Sequence, residues 1–66
     1  MNIIVNGEPR TVPPDLTVAD LVDDLGLPSR GIAVAVGRAV VPRTQWGRAV
    51  IVPGAEVDIV TAMQGG

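Results

Sequence analysis

One stretch of this chain carries helical periodicity, and the segments on both sides of it read as extended. In "PPDLTVADLVDDLGLP", Val18, Leu21, Val22 and Leu25 recur at i, i+3, i+4 and i+7, which draws one apolar stripe along a helix. The start and stop signals agree with that stripe. Thr17 is the N-cap, Asp20 at the third helical position imitates a capping box, and Leu16 and Leu21 are placed as a hydrophobic staple. Gly26 suits the left-handed residue that ends a helix, and Pro28 prevents its resumption. A helix crossing one face of a mixed sheet is an α+β architecture, here in the order β-β-α-β-β-β.

The flanking segments supply the strands. "MNIIVNGEPRTV" reads as a hairpin turning at Asn6-Gly7, with Ile3 and Val5 on the core face, Ile4 on the other, and Pro9 suited to an edge. "GIAVAVGRAVVP" predicts a strand, a turn at Gly37-Arg38 and a further extended stretch. Ile32, Val34 and Val36 share one face, and the small Ala33 and Ala35 fill the opposite one, which allows close packing, the expectation taken, or a shallow binding surface. "RTQWG" reads as a short helical or turn segment that brings Trp46, the one aromatic residue, into the core. "RAVIVPGAEVDIVTA" predicts a short strand, a Pro53-Gly54 turn and a last strand in which Val57 and Ile59 alternate with Asp58 and Val60. The first and last strands are expected side by side at the centre of the sheet.

Sixty-six residues make one domain, and a chain of this size buries only about 60% of its unfolded surface. Without cysteine or histidine it has neither disulfides nor the usual zinc ligand sets, so aliphatic side chains must build the core. A net charge of −2 with no basic run argues against a nucleic-acid partner. The longest apolar run, residues 32–36, is far short of the roughly 20 residues of a membrane span. No signal-peptide pattern opens the chain, and the expected location is the cytoplasm. With no His, Cys, Lys or Tyr, catalytic groups reduce to a few carboxylates, so an enzyme is not expected and neither a bound cofactor nor a metal is implied. Asp20, Asp23 and Asp24 read as the solvated side of the helix.

After Thr61 the pattern stops, which divides the chain into a domain over residues 1–61 and a tail over residues 62–66. Five extended residues reach roughly 17 Å, enough to thread another protein's active site. Ordering glycine costs more backbone entropy than ordering any other residue, so Gly65 and Gly66 add nothing to a fold. They do suit chemistry at a carboxyl group. A terminal Gly66 carboxylate is ionised at neutral pH and must be activated before a sulfur nucleophile can take it. Gly65 offers that attack no side chain.

Joined to the tail, the segments "VNGEPR", "LTVADLVDDLGL", "GIAVAVGRAVVPRTQW" and "PGAEVDIVTAMQGG" resemble the β-grasp, ubiquitin-like sulfur carriers over the whole length. The resemblance is closest to the ThiS carriers of bacterial thiamine biosynthesis. Val41, Pro42, Arg43 and Trp46 match their "VPR..W" segment, while Gly37-Arg38 stands where that family often has Asn-Gly. The resemblance implies a carrier. An ATP-dependent, ThiF-like enzyme would adenylate Gly66, a persulfide-bearing protein would convert it to a thiocarboxylate, and a ThiG-like thiazole synthase would accept the sulfur. In that scheme Gln64 and Met63 would line the partner's entrance, and by analogy with the fold Ile4 and Val60 would belong to the docking patch. Carriers for molybdopterin or cysteine synthesis, and protein-conjugating ubiquitin-like modifiers, share the Gly-Gly ending and are the alternatives. A plain β-grasp interaction module with an inert tail is a third. The absence of lysine denies an activated C-terminus any ε-amine on its own kind, though a composition favouring Arg over Lys throughout is the simpler explanation of that absence.

Overall fold

Two short turns organise the sheet. Asn6 and Gly7 both take positive φ (51° and 82°), and the pairing Val5↔Glu8 closes them as a two-residue type I′ hairpin. Gly37 and Arg38 (59° and 72°) repeat the device, closed by Val36↔Ala39. The structure, a computed structural model, describes residues 1–28 and 30–61. Its elements are β1 (Asn2–Val5), β2 (Glu8–Thr11), α1 (Val18–Asp24), β3 (Ile32–Val36), β4 (Ala39–Val41), a 3-10 turn (Arg43–Gln45) and β5 (Glu56–Thr61). The strands lie in the order β2-β1-β5-β3-β4, with β1 and β5 parallel and the other neighbours antiparallel. As the sequence predicts, the first and last strands meet, and β5 is central.

The helix is built by its caps. The Thr17 hydroxyl accepts from the Asp20 amide, and the Asp20 carboxylate accepts from the Thr17 amide, both at 3.1 Å. At the other end Leu27 N–H donates to Val22 and Gly26 N–H to Asp23, the paired bonds of a Schellman motif. Gly26 holds the left-handed conformation that motif requires, at φ 70°. The stripe buries Val18, Leu21 and Val22 completely or nearly so, and Leu25 becomes the half-buried C-cap. They pack with Ile3, Val34, Val57, Ile51 and Trp46, each worth about 1.5–3 kcal/mol for an aliphatic side chain fully removed from water.

One predicted strand is absent. Residues 48–52 form no ladder: Val50 makes an isolated bridge to Thr17. The segment spends its backbone on the entry to the helix, with Val18 N–H donating to Ala49 at 2.9 Å and Ile51 N–H to Leu16 at 2.8 Å. That path inserts Ile51 into the core and leaves Val50 and Val52 in solvent.

Candidate functional site

β5 is the element that leads to the tail, and it is held from both sides. β1 pairs with its first two residues through Ile4↔Glu56 and Val5↔Val57, and β3 pairs with residues 57–61, from Val36↔Val57 to Ile32↔Thr61. Where β1 ends, Asn6 continues the support. Its amide donates to the Val57 carbonyl and its side-chain oxygen accepts from the Ile59 amide, both at 2.8 Å. A residue chosen by the sequence for its turn geometry therefore also braces the central strand. Nothing in the dipeptide itself signals that second role, because the partner is fifty-three positions away.

The two faces of the sheet differ. Ile3, Val34 and Val57 point into the core beneath α1, and Ile4, Ala33, Ala35, Val40, Glu56, Asp58 and Val60 alternate onto the outer face. The predicted docking residues Ile4 and Val60 are both there and both exposed, at 37% and 59%. The structure does not bring them together. Ile4 is level with Glu56, four residues before Val60 on β5, a separation of roughly 13 Å along the strand, and the exposed carboxylate-bearing Glu56 and Asp58 intervene. Val60 is instead beside Ala33, and Ala35 beside Val40, which is 71% exposed. These four residues make a shallow apolar patch with a floor of alanine. Val40 was legible as a member once the Gly37-Arg38 hairpin fixed the register, since Val41 must then face inward.

Gly66, Gly65, Gln64 and Met63 lie outside the described residues. Arg30 and Arg43, which precede β3 and follow β4 in the chain, are both exposed. Arg30 lies two residues before Ile32, the partner of Thr61; Arg43 lies two residues after Val41, the partner of Val34. The helical carboxylates have ordinary duties: Asp20 caps the helix, and Asp24 pairs with Arg10 at 3.2 Å on the surface. Among the described residues no group of three or more His, Cys, Asp or Glu side chains is placed to hold a metal ion, and no charged side chain is buried. Nor is any helix there long and apolar enough to cross a membrane. A cleft of about 410 Å³ opens between the β1–β2 hairpin and the end of α1, lined by Val5, Glu8, Pro9, Arg10, Leu25 and Leu27 among others. Among the described residues, the predicted docking residues Ile4 and Val60 do not line it.

A five-stranded mixed sheet packed on one helix, with a central last strand leading into Gly-Gly, defines a β-grasp protein of the ubiquitin-like kind. The model of the ThiS family matches residues 3–66, and the chain belongs to the ThiS family. Solved structures agree. The crystal structure of a thiamine biosynthesis protein (ThiS) from Geobacter metallireducens superposes with a TM-score of 0.87 at 29% identity, covering the whole of both chains. A solution structure of a thiamine biosynthesis protein from the same organism gives 0.80 at 29% identity, covering all of this chain and 88% of the other. A thiazole synthase of Paramagnetospirillum magneticum (strain ATCC 700264 / AMB-1) is 32% identical over all 66 residues. The chain spans 20% of that relative's length.

Proposed function

We propose that the chain is a sulfur carrier of thiamine biosynthesis, and not itself a catalyst, whose Gly66 carboxylate is adenylated and converted to a thiocarboxylate. The observation that carries the reading is the family match through residue 66, Gly-Gly included, on a domain whose central strand leads into that segment. In the first step the carboxylate attacks the α-phosphorus of ATP and pyrophosphate leaves. A persulfide sulfur then displaces AMP from the acyl carbon, and a second thiol cleaves the S–S bond to leave the thiocarboxylate. The chain binds no cofactor in this scheme; ATP belongs to a ThiF-like adenylating enzyme.

The acceptor in this reading is a ThiG-like thiazole synthase. Support comes from the thiazole synthase that contains a stretch similar to this chain. Val60, with Ala33, Ala35 and Val40, forms the main docking patch, and Ile4 a separate contact beyond the acidic pair. Gly65, Gln64 and Met63 enter the partner's active site.

Intact-mass measurement after incubation with ATP, a ThiF-like enzyme and a persulfide donor tests the proposal. The expected change is one oxygen exchanged for sulfur, and deletion of Gly66 abolishes it. An unchanged mass with an active enzyme overturns the reading; adducts of protein size would indicate conjugation instead.

A further inference from the structure

Asn6 joins a strained turn to a reactive neighbour. The chain has two asparagines, Asn2 and Asn6, and only Asn6 precedes a glycine. An asparagine side-chain carbonyl can close a five-membered ring on the next residue's backbone nitrogen, and glycine presents that nitrogen without a Cβ to crowd it. Asn6 and Gly7 are both exposed, and beyond the adjoining residues no heavy atom lies within 4 Å of where a Gly7 Cβ would stand. The ring has room to form.

The turn holds the two reacting groups apart. In a type I′ turn, the class that φ values of 51° and 82° define here, the first central residue has ψ of about +30°. That angle sets the Gly7 nitrogen almost opposite Cβ about the Cα–C bond of Asn6. Ring closure requires ψ of about −120°, the type II′ value, which is reached by flipping the peptide plane between Asn6 and Gly7. No backbone hydrogen bond fastens that plane: among the described residues neither the Asn6 carbonyl nor the Gly7 amide makes one. The lock is the side chain. Asn6 Oδ1 accepts from the Ile59 amide and the Asn6 amide donates to the Val57 carbonyl, both at 2.8 Å, so the residue is tied to β5 at two points. Attack needs the side-chain carbonyl to leave Ile59 and swing over the Gly7 nitrogen.

We propose that Asn6 is a site of spontaneous covalent modification, held in check by its own bond to β5. The Gly7 nitrogen gives up its proton to hydroxide and attacks Cγ, the bond from Cγ to the side-chain nitrogen breaks, and ammonia leaves with a proton taken from water. The resulting succinimide takes up one water at either carbonyl. Opening at one gives aspartate, and opening at the other gives isoaspartate, whose main chain runs through Cβ. The net change is an NH group exchanged for oxygen, with nothing oxidised or reduced. Isoaspartate adds a main-chain carbon to the loop that closes on Val5↔Glu8 and moves the carboxylate to Cα, away from the Ile59 amide. It therefore loosens the hairpin's hold on β5, whereas aspartate keeps an acceptor oxygen in place.

The test incubates the full chain at mildly alkaline pH, native and in denaturing urea, and follows it by intact mass and by peptide mapping that separates aspartate from isoaspartate. Asn6 should convert to both products, and Asn2, which precedes the branched Ile3 within β1, should stay intact. Conversion should be at least about tenfold slower in the native chain, the factor that one hydrogen bond represents. In the purified isoaspartate form the Ile59 amide should exchange with solvent at least about tenfold faster than in the aspartate form. Equal rates in the native chain and in urea would overturn the lock, and aspartate as the sole product would overturn the ring. No conversion in urea would remove the site altogether. An Ile59 amide equally protected in the two products would overturn the effect on β5.

Discussion

The indole N–H of Trp46 donates to the carbonyl of Val41 at 2.9 Å, five residues back along the chain. This bond gives the Val41-Pro42-Arg43-Thr44-Gln45-Trp46 spacing a physical basis. Pro42, at φ −59°, leads into the 3-10 turn, Gln45 N–H donates to the Pro42 carbonyl at 2.8 Å, and Trp46 N–H donates to Arg43 at 3.2 Å. One such turn brings the ring under the end of β4, where it is buried to 5% exposure with its polar edge satisfied.

Trp46→Phe keeps an aromatic ring in the core but leaves the Val41 carbonyl without that donor, and should cost about 1–3 kcal/mol. For 66 residues the whole stability is on the order of 3–10 kcal/mol, so the loss is large enough to read. Urea unfolding followed by far-ultraviolet circular dichroism measures it. An unchanged midpoint would show that the bond contributes nothing.

Thr17→Ala removes the side chain that accepts from Asp20 N–H and leaves the reciprocal Asp20 contact unsupported. The expected loss is about 1 kcal/mol, within the usual range for an N-cap. Because α1 has only seven residues, amide exchange across the whole helix should accelerate, not its first turn alone.

Arg38 sits in the left-handed region at φ 72°, where a side chain costs about 1–2 kcal/mol. Glycine avoids that cost but loses about 0.5–1 kcal/mol more entropy on folding. Arg38→Gly should therefore stabilise the chain by about 0.5–1 kcal/mol, visible as a rise in the unfolding midpoint. A fall would mean that the Arg38 side chain makes a compensating contact.

Asn6→Gly preserves the positive-φ turn and removes the side-chain oxygen that accepts from Ile59, while its added entropy cost of about 0.5–1 kcal/mol acts on all sites alike. The Ile59 amide should exchange faster with solvent by about tenfold, equivalent to about 1.4 kcal/mol, while amides of α1 change less. Uniform acceleration at all sites would assign Asn6 to global stability instead of to the brace on β5.

Val60→Asp and Val40→Asp alter residues 59% and 71% exposed, so folding stability should move by no more than about 0.5 kcal/mol. If their patch docks the adenylating enzyme, KM for the carrier should rise at least about tenfold with little change in kcat, a loss near 1.4 kcal/mol of binding. Ile4→Asp, beyond Glu56 and Asp58, should raise it less. Unchanged KM in all three variants would remove the outer face from the interface.

Local order determined much of this protein. The Thr17–Asp20 cap, the stripe of Val18, Leu21 and Val22, the Gly26 stop and the Asn6-Gly7 turn depend on residues a few positions apart, and the structure bears out each of them. The burial of Trp46 was legible for a related reason, since a core of aliphatic side chains has one large ring to accommodate. Tertiary structure decided what depends on distant partners. It took residues 48–52 out of the sheet, because their backbone groups found Leu16 and Val18 first. It separated Ile4 from Val60, because the parallel register of β1 with β5 sets them roughly 13 Å apart, a quantity that alternation along either strand alone does not contain. The same register placed Met1 at the opposite end of the sheet from Thr61. Periodicity assigns a residue to a face; pairing between strands decides which residues share a place on it.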